Sequence, residues 1–420
     1  MLRALIIFFA MYASMLIFSK ARVFAALGAA ALFIALGILP LEKAPHAVDW
    51  NVIMMIGGTM GTVSLFIDSK MPALMADVII EKMPDMRWTV IALSAFSGLI
   101  SAFVDNVATV LMIAPVAVMI AKKLKISPVP SIIAIAVASN LQGAATLVGD
   151  TTSILLGGYA GMNFLDFFFM DGRPGLFWIV EIGALAATAV LFIIFRKDRG
   201  KVDGVGRTEV TDYFPSALMI ATLVLLIAAS FFKERPALTN GIICVGVFLI
   251  GVLRELFFGS KDRIAKALKE MDYQTLLLLV GLFIVIEGIT EAGVIDAIAG
   301  LFVRISGDDL FLAYTLIVWV SVLFSAFVDN IPYVATMLPV VTGIAGGMGT
   351  DPKVLYFGLL IGATLGGNLT PVGASANITA IGILRREGYD VKTREFTRIG
   401  VPYTLTAVVV GYVLTWIIWS

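Results

Sequence analysis

The six residues Ser101-Ala102-Phe103-Val104-Asp105-Asn106 recur 224 positions later as Ser325-Ala326-Phe327-Val328-Asp329-Asn330, each time inside a long apolar run. A carboxylate at mid-bilayer costs roughly 2.5–3.5 kcal/mol on insertion scales, so an acid kept there faces a cavity and has a task. Where a membrane helix breaks, its first arm ends in free carbonyls and its second begins with free amides. Carbonyls beside a carboxylate suit a small cation, and amides suit an anion or a neutral oxygen. Asn106 and Asn330 serve either, because a carboxamide both donates and accepts. The candidate ligands for Na+ are Asp105, Asn106, Asp150, Asp329 and Asn330. The same carboxylates can hold a proton, and two that lie close together can share one.

A second polar break keeps the spacing, since Val148-Gly149 matches Val372-Gly373. In the first copy it offers Ser139, Asn140, Gly143, Thr146, Gly149, Asp150 and Thr151, followed by Thr152 and Ser153. In the second it offers Thr364, Asn368, Thr370, Gly373, Ser375 and Asn377. Glycine lets the backbone leave the helix and approach a ligand. The copies differ: Asp150 stands opposite Ala374, Ala144 opposite Asn368, and Ser153 opposite Asn377. The half around Asp105 and Asp150 is expected to hold the coupling cation or proton, and the other half to favour a neutral or anionic ligand. The plainer alternative is that some of these residues only cap broken helices.

The elements that must carry these residues are membrane helices. Hydrophobic residues make up 60% of the 420-residue chain and charged residues 14%, with a mean hydropathy of +0.98. Apolar stretches of about 20 residues, each long enough to cross a bilayer, recur throughout. The fold class is an all-α polytopic membrane protein. Spans are expected at 2–19, 23–40, 49–67, 131–159 (broken) and 175–195, with two arms at 88–122 and a polar loop at 68–87. The plan repeats at 214–232, 237–257, 273–290, 354–384 (broken) and 399–419, with arms at 311–346. This amounts to about ten spanning helices, two of them broken, plus two pairs of arms read as re-entrant hairpins, or alternatively as two full spans each, which adds an even number of crossings either way. Because each half has an odd number of crossings, the halves are inverted repeats: 1–195 and 213–420, joined by a polar cytoplasmic linker at 196–212.

Most of the chain's 30 Lys and Arg, from Lys20 and Arg22 to the group at 385–398, fall on the face reached after the first span. The positive-inside rule puts that face in the cytoplasm and both termini outside, in an inner or plasma membrane. The apolar start from Arg3 to Phe18 is a retained helix rather than a cleaved signal, because Lys20 and Arg22 follow at once. The single cysteine, Cys244, excludes disulfide frameworks within the chain. His46 is expected at the surface. The net charge of zero, with no basic patch, gives no reason to expect a nucleic-acid partner. No cofactor is implied beyond Na+ or H+ as coupling ion. Gly57, Gly58 and Gly61 form a small-residue packing stripe, Pro115 and Pro339 match across the copies, and Glu181 and Glu287 are either proton relays or interfacial side chains.

At these motifs the sequence resembles the ion transporter superfamily, in particular the branch holding the ArsB and NhaD permeases and the melanosomal P protein. The resemblance rests on the two Phe-Val-Asp-Asn turns, Ala114-Pro115, Ser139-Asn140, Gly143 to Asp150, and Gly366 to Asn377. It covers nearly the whole chain. The dicarboxylate branch has a Ser-Asn-Thr turn where Asp105-Asn106-Val107 and Asp329-Asn330-Ile331 stand here, which argues against dicarboxylates. The resemblance implies a homodimer in which a part carrying both hairpins and both broken spans moves, elevator-like, against a scaffold.

The function expected is secondary active transport of a small ion coupled to H+ or Na+, with cation/proton antiport ahead of two alternatives. These are export of arsenite or another oxyacid against protons, and sodium-coupled uptake of an organic anion. An intramembrane aspartyl protease fits poorly, because Leu147-Val148-Gly149-Asp150 lacks the first glycine of the Gly-x-Gly-Asp signature and a duplication has no use there. A passive channel fits poorly, because the repeats place a closed site inside each chain. No enzymatic activity is expected.

Overall fold

The structure, a computed structural model, describes every residue except 19, 20, 199, 201–205, 233 and 308. Lys20 of the orientation argument, and Arg199 and Lys201 of the linker, lie outside the described residues. Helices dominate, with one minimal hairpin that pairs Phe169–Met170 with Arg173–Pro174.

The expected spans fall on helices. The unbroken ones are Leu2–Ile17, Arg22–Ala35, Trp50–Asp68 and Leu176–Ile194, then Phe214–Ser230, Thr239–Phe258, Tyr273–Glu291 and Thr393–Trp419. The arms are Met86–Ser101 with Asn106–Leu124, and Leu310–Ser325 with Asn330–Met348. The broken spans are Val129–Gly143 with Thr151–Tyr159, and Lys353–Leu360 leading through a π-turn at Ile361–Leu365 to Ser375–Arg386. Seven helices among the described residues are long and apolar enough to cross a bilayer, so the chain is a multi-pass membrane protein.

The duplication is legible atom by atom. Both pairs of arm helices share their bounds after a shift of 224 residues. Asp85 and Asp309 cap the first arms, and Asp105 and Asp329 cap the second. Lys125 (φ 55°) and Gly349 (φ 65°) close those second arms in the left-handed region. A Cβ on Gly149 would stand 2.6–2.7 Å from the carbonyl oxygens of Gly143, Ala102 and Ser101. One on Gly373 would meet those of Gly367, Ser325 and Ala326 at 2.5–2.8 Å. In both copies, then, the break of the broken span crosses directly beneath the turn between the arms, and only glycine fits there.

The first broken span is the centre of the molecule: every residue from 131 to 157 is buried. From Ile132 to Ala138 its sequence is apolar on all faces, as burial on all sides requires, and the polar groups that follow are buried with it. Around it, Gly58 lies against the Cys244 backbone and Gly281 against that of Ala26, so each half lends a helix to the other through small residues.

The expected loop at 68–87 is instead largely helix, Met71–Glu81. Its Pro72 sits in the first turn, where no amide is lost. The polarity that made it read as loop is absorbed by partners. Asp77, 1% exposed, accepts from the Thr208 amide (2.8 Å) and hydroxyl (2.6 Å), and Glu81 accepts from Arg207. A matching helix, Val294–Ser306, precedes the second pair of arms, and Lys261–Glu270 forms a further amphipathic helix.

Candidate ion-binding site

The second arms begin at carboxylates for a reason. Asp105 lies outside helical geometry (φ −44°, ψ 137°), and its Oδ1 accepts the amides of Val107 (3.0 Å) and Ala108 (3.1 Å). Asp329 accepts the amide of Ile331 at 3.1 Å. Such caps contribute about 0.5–2 kcal/mol each. They consume one oxygen, and Oδ2 of Asp105 has no protein partner among the described residues. Asp150 begins Thr151–Tyr159 without using its side chain as a cap, and its Oδ2 accepts from Thr152 Oγ1 at 3.0 Å. The capping alternative therefore describes part of what Asp105 and Asp329 do, and not what Asp150 does.

A cavity of about 370 Å³ joins these groups. Of the residues expected at the site it is lined by Asp105, Asn106, Asp150, Thr151, Asn330 and Ser375. Four helix N-termini, at residues 106, 151, 330 and 375, converge on it, drawn from both copies. Among the described residues no Lys, Arg or His lines it. The wall opposite is Met60, Val63, Ser64 and Ile67 of Trp50–Asp68. The mouth carries Glu270, Asp272 and Thr275. Glu270 accepts from Ser64 at 2.6 Å, while Asp272 caps Tyr273–Glu291 through Thr275. These wall and mouth residues were not among the sequence candidates. The only sequence trace of them is the Asp-x-x-Thr capping pattern at 272–275.

The other candidates hold the site rather than line it. Ser139 Oγ donates to the Asn106 carbonyl at 2.9 Å, and Asn106 Nδ2 donates to Asn140 Oδ1 at 3.0 Å. Asn140 Nδ2 in turn donates to the Thr364 carbonyl at 2.8 Å. Thr364 Oγ1 lies 2.8 Å from Thr152 Oγ1, closing a path of hydroxyls to Asp150. From the second copy, Asn368 Nδ2 reaches the Val137 carbonyl at 2.9 Å, and Asn377 Nδ2 lies 3.2 Å from Asn368 Oδ1. Thr146 donates to the Ala102 carbonyl and Thr370 to that of Ala326, stapling each break to its turn. Gly143, Gly149 and Gly373 form the close crossings. Apart from Thr370, which is half-buried, these groups are buried in low dielectric, where an unpaired partner is costly, so the network fixes the two breaks against each other.

Asp329 stands apart. It does not line the cavity, and its Oδ2 accepts from Arg22 Nη1 at 2.5 Å and from Ser375 Oγ at 3.2 Å. Tyr12 holds the same turn through the Pro332 carbonyl (2.7 Å) and Thr336 (2.5 Å).

Comparison with known proteins identifies what kind of molecule carries this cavity. The family model of the citrate transporter CitMHS matches residues 5–362. The chain belongs to the CitMHS family. An uncharacterized transporter of Mycobacterium tuberculosis is 31% identical over 407 residues, 95% of this chain and 94% of its own. The P protein of Mus musculus is 25% identical over 92% of this chain and 56% of its own length, as the motifs led one to expect. Two solved structures share the fold at 14% identity. The YdaH transporter of Alcanivorax borkumensis has a TM-score of 0.60, over 94% of this chain and 96% of its own. MtrF of Neisseria gonorrhoeae, of a class of antimetabolite efflux pumps, has one of 0.56, over 96% and 85%. A CitMHS member is a membrane-embedded secondary transporter, not a protease or another enzyme.

Proposed function

We propose that the protein moves a small ion in exchange for protons, as a cation/proton antiporter, with Asp105 and Asp150 as the carboxylates that trade a proton for the cation. The observation that carries this is a cavity lined by the buried Asp150 and by Asp105, with Glu270 and Asp272 at exposed positions, and by no basic side chain among the described residues. Asp105 offers a free Oδ2, and Asp150 lies within electrostatic reach of Asp105. Of two carboxylates lining one cavity, one holds a proton while the other is ionised, and an arriving cation releases it. Asn106, Asn330, Thr151 and Ser375 complete the ligand shell. Ser139, Asn140, Gly143, Thr146, Gly149, Thr364, Asn368, Thr370, Gly373 and Asn377 keep it in shape.

The duplicated architecture supports the rest of the reading. The halves 1–195 and 213–420 lie in opposite orientation, joined by the cytoplasmic linker 196–212. The arms form re-entrant hairpins, and they move with the broken spans in an elevator-like step. The cell-membrane protein is a homodimer with both termini outside.

A second reading has an observation of its own. Four helix N-termini converge on the cavity, each favouring negative charge, and the family model bears the name of a citrate transporter. An organic anion seated on those amides, with Na+ at Asp105, would be taken up by cotransport. Export of an oxyacid such as arsenite against protons would seat a neutral solute on the same amides by hydrogen bonding, with no Na+ required. Proteoliposomes with an internal pH dye separate these readings. Na+, Li+, K+, citrate and arsenite are added in turn. Proton movement on adding a cation alone, lost in Asp105→Asn, is the antiporter result. Silence to every cation, with citrate or arsenite moving, contradicts it.

A further inference from the structure

The two turns are copies of one design, yet their carboxylates have different surroundings. Asp105 and Asp329 both cap their arms through Oδ1. At Asp329 the second oxygen is taken by the guanidinium of Arg22, with the Ser375 hydroxyl beside it. At Asp105 the second oxygen meets no basic residue among the described residues, and the residue lines the cavity. Arg22 lies on neither the arms nor the broken spans. It opens the helix Arg22–Ala35, which packs through Ala26 against Gly281. The corresponding packing in the other half sets Cys244 and Val245 against Gly58, so the residues that open that helix are Thr239 and Asn240. Neither carries a charge.

We infer that the guanidinium of Arg22 acts as a built-in cation that fills the second of two duplicated cation sites, leaving the Asp105 turn as the one that binds a free cation. This deepens the function proposed above and rests on its premise that Asp105 binds a cation. A guanidinium placed on a carboxylate supplies the charge and donors that a bound cation would otherwise supply. The Asp329 pair is part-buried, with side-chain exposures of 28% for Arg22 and 10% for Asp329. A free cation must displace Arg22 to reach it. The exchange stoichiometry of the transporter is thus set by a residue outside the cavity.

The test is equilibrium binding of radiolabelled Na+ to the purified full-length protein. Wild type is expected to bind one ion per protomer, and Asp105→Asn none. Asp329→Asn is expected to keep the single ion, since its carboxylate is not a ligand for a free one. Arg22→Gln is expected to bind two, Arg22→Lys one, and Arg22→Gln with Asp329→Asn one again. Asp329→Asn binding none, or a folded Arg22→Gln binding one while wild type binds one, overturns this inference alone. A wild type that binds no Na+ overturns the cation premise and this inference with it. Should Arg22→Gln fail to fold, the Asp329→Asn result still decides.

Discussion

Asn140 and Thr364 occupy equivalent positions in the two copies, 224 residues apart, and they touch: the Asn140 carboxamide donates to the Thr364 carbonyl at 2.8 Å. The two halves therefore meet at their own matching residues, in the middle of the broken spans. The amide that bridges them also receives Asn106 from the first turn. One side chain ties the cavity wall of one half to the backbone of the other.

Asn140→Ala removes that tie and leaves a buried carbonyl and a buried carboxamide unpaired. The expected cost is about 1–3 kcal/mol, with loss of transport. A thermal-unfolding series on purified protein checks the first part, and flux in proteoliposomes the second. An unchanged midpoint would contradict the role given to Asn140.

Gly149→Ala and Gly373→Ala force a methyl within 2.8 Å of three carbonyl oxygens each. Overpacking of this kind costs about 1–3 kcal/mol or more against backbone that cannot move aside. Both variants are expected to unfold at lower temperature than wild type. Gly246→Ala, where a Cβ meets nothing within 4 Å, is expected to match wild type. The comparison separates close crossing from a general intolerance of substitution.

Asp105→Asn keeps a side chain that caps a helix as well as Asp does, so its stability is expected to stay within about 0.5 kcal/mol of wild type. Cation-driven proton movement should nonetheless vanish. A variant that is both stable and inactive places the defect in ion exchange rather than in folding. An active Asp105→Asn protein would remove Asp105 from the mechanism.

At the linker, the hydrogen bond from Arg207 holds the Glu81 carboxyl below its ordinary range. A depressed carboxylate contributes stability above its unfolded value, roughly pH 4.3. That contribution fades as pH falls through the folded value. The thermal midpoints of wild type and Glu81→Gln should therefore differ at neutral pH and converge on acidification. Both groups are solvent-exposed, so the gap shrinks with added salt.

Orientation is checked with the chain's own chemistry. Cys244 is buried, so Cys244→Ala gives a background without thiols. Glu209 is exposed on the linker. A cysteine placed at that position should react with an impermeant maleimide only after the membrane is opened from the cytoplasmic side. Labelling in intact cells would invert the whole topology.

What could be read from the chain alone was what the duplication wrote twice. Asp105 and Asp329, the glycine crossings, and the hydroxyls of Thr146 and Thr370 all sit at one spacing, and the helices follow from apolar length. The exception is Asp150, legible as an acid in a polar break although Ala374 stands opposite it; the other unrepeated features stayed hidden. The bond between Arg22 and Asp329 spans 307 positions and has no counterpart among the described residues of the other copy. Met71–Glu81 read as loop because Asp77 and Glu81 look solvent-seeking until Thr208 and Arg207 are brought to them. Glu270 and Asp272 lie in a charged connection, and only the fold carries them to the mouth of the cavity.

The most direct test of the central claim is to locate a monovalent cation in the cavity. Crystals of the protein soaked in Tl+, whose anomalous scattering marks its position, are expected to give one peak beside Asp105 and Asp150, bordered by Asn106 and Thr151. That peak should be lost in Asp105→Asn. A cavity without a peak, or a peak lying only beside Asp329, would contradict the account.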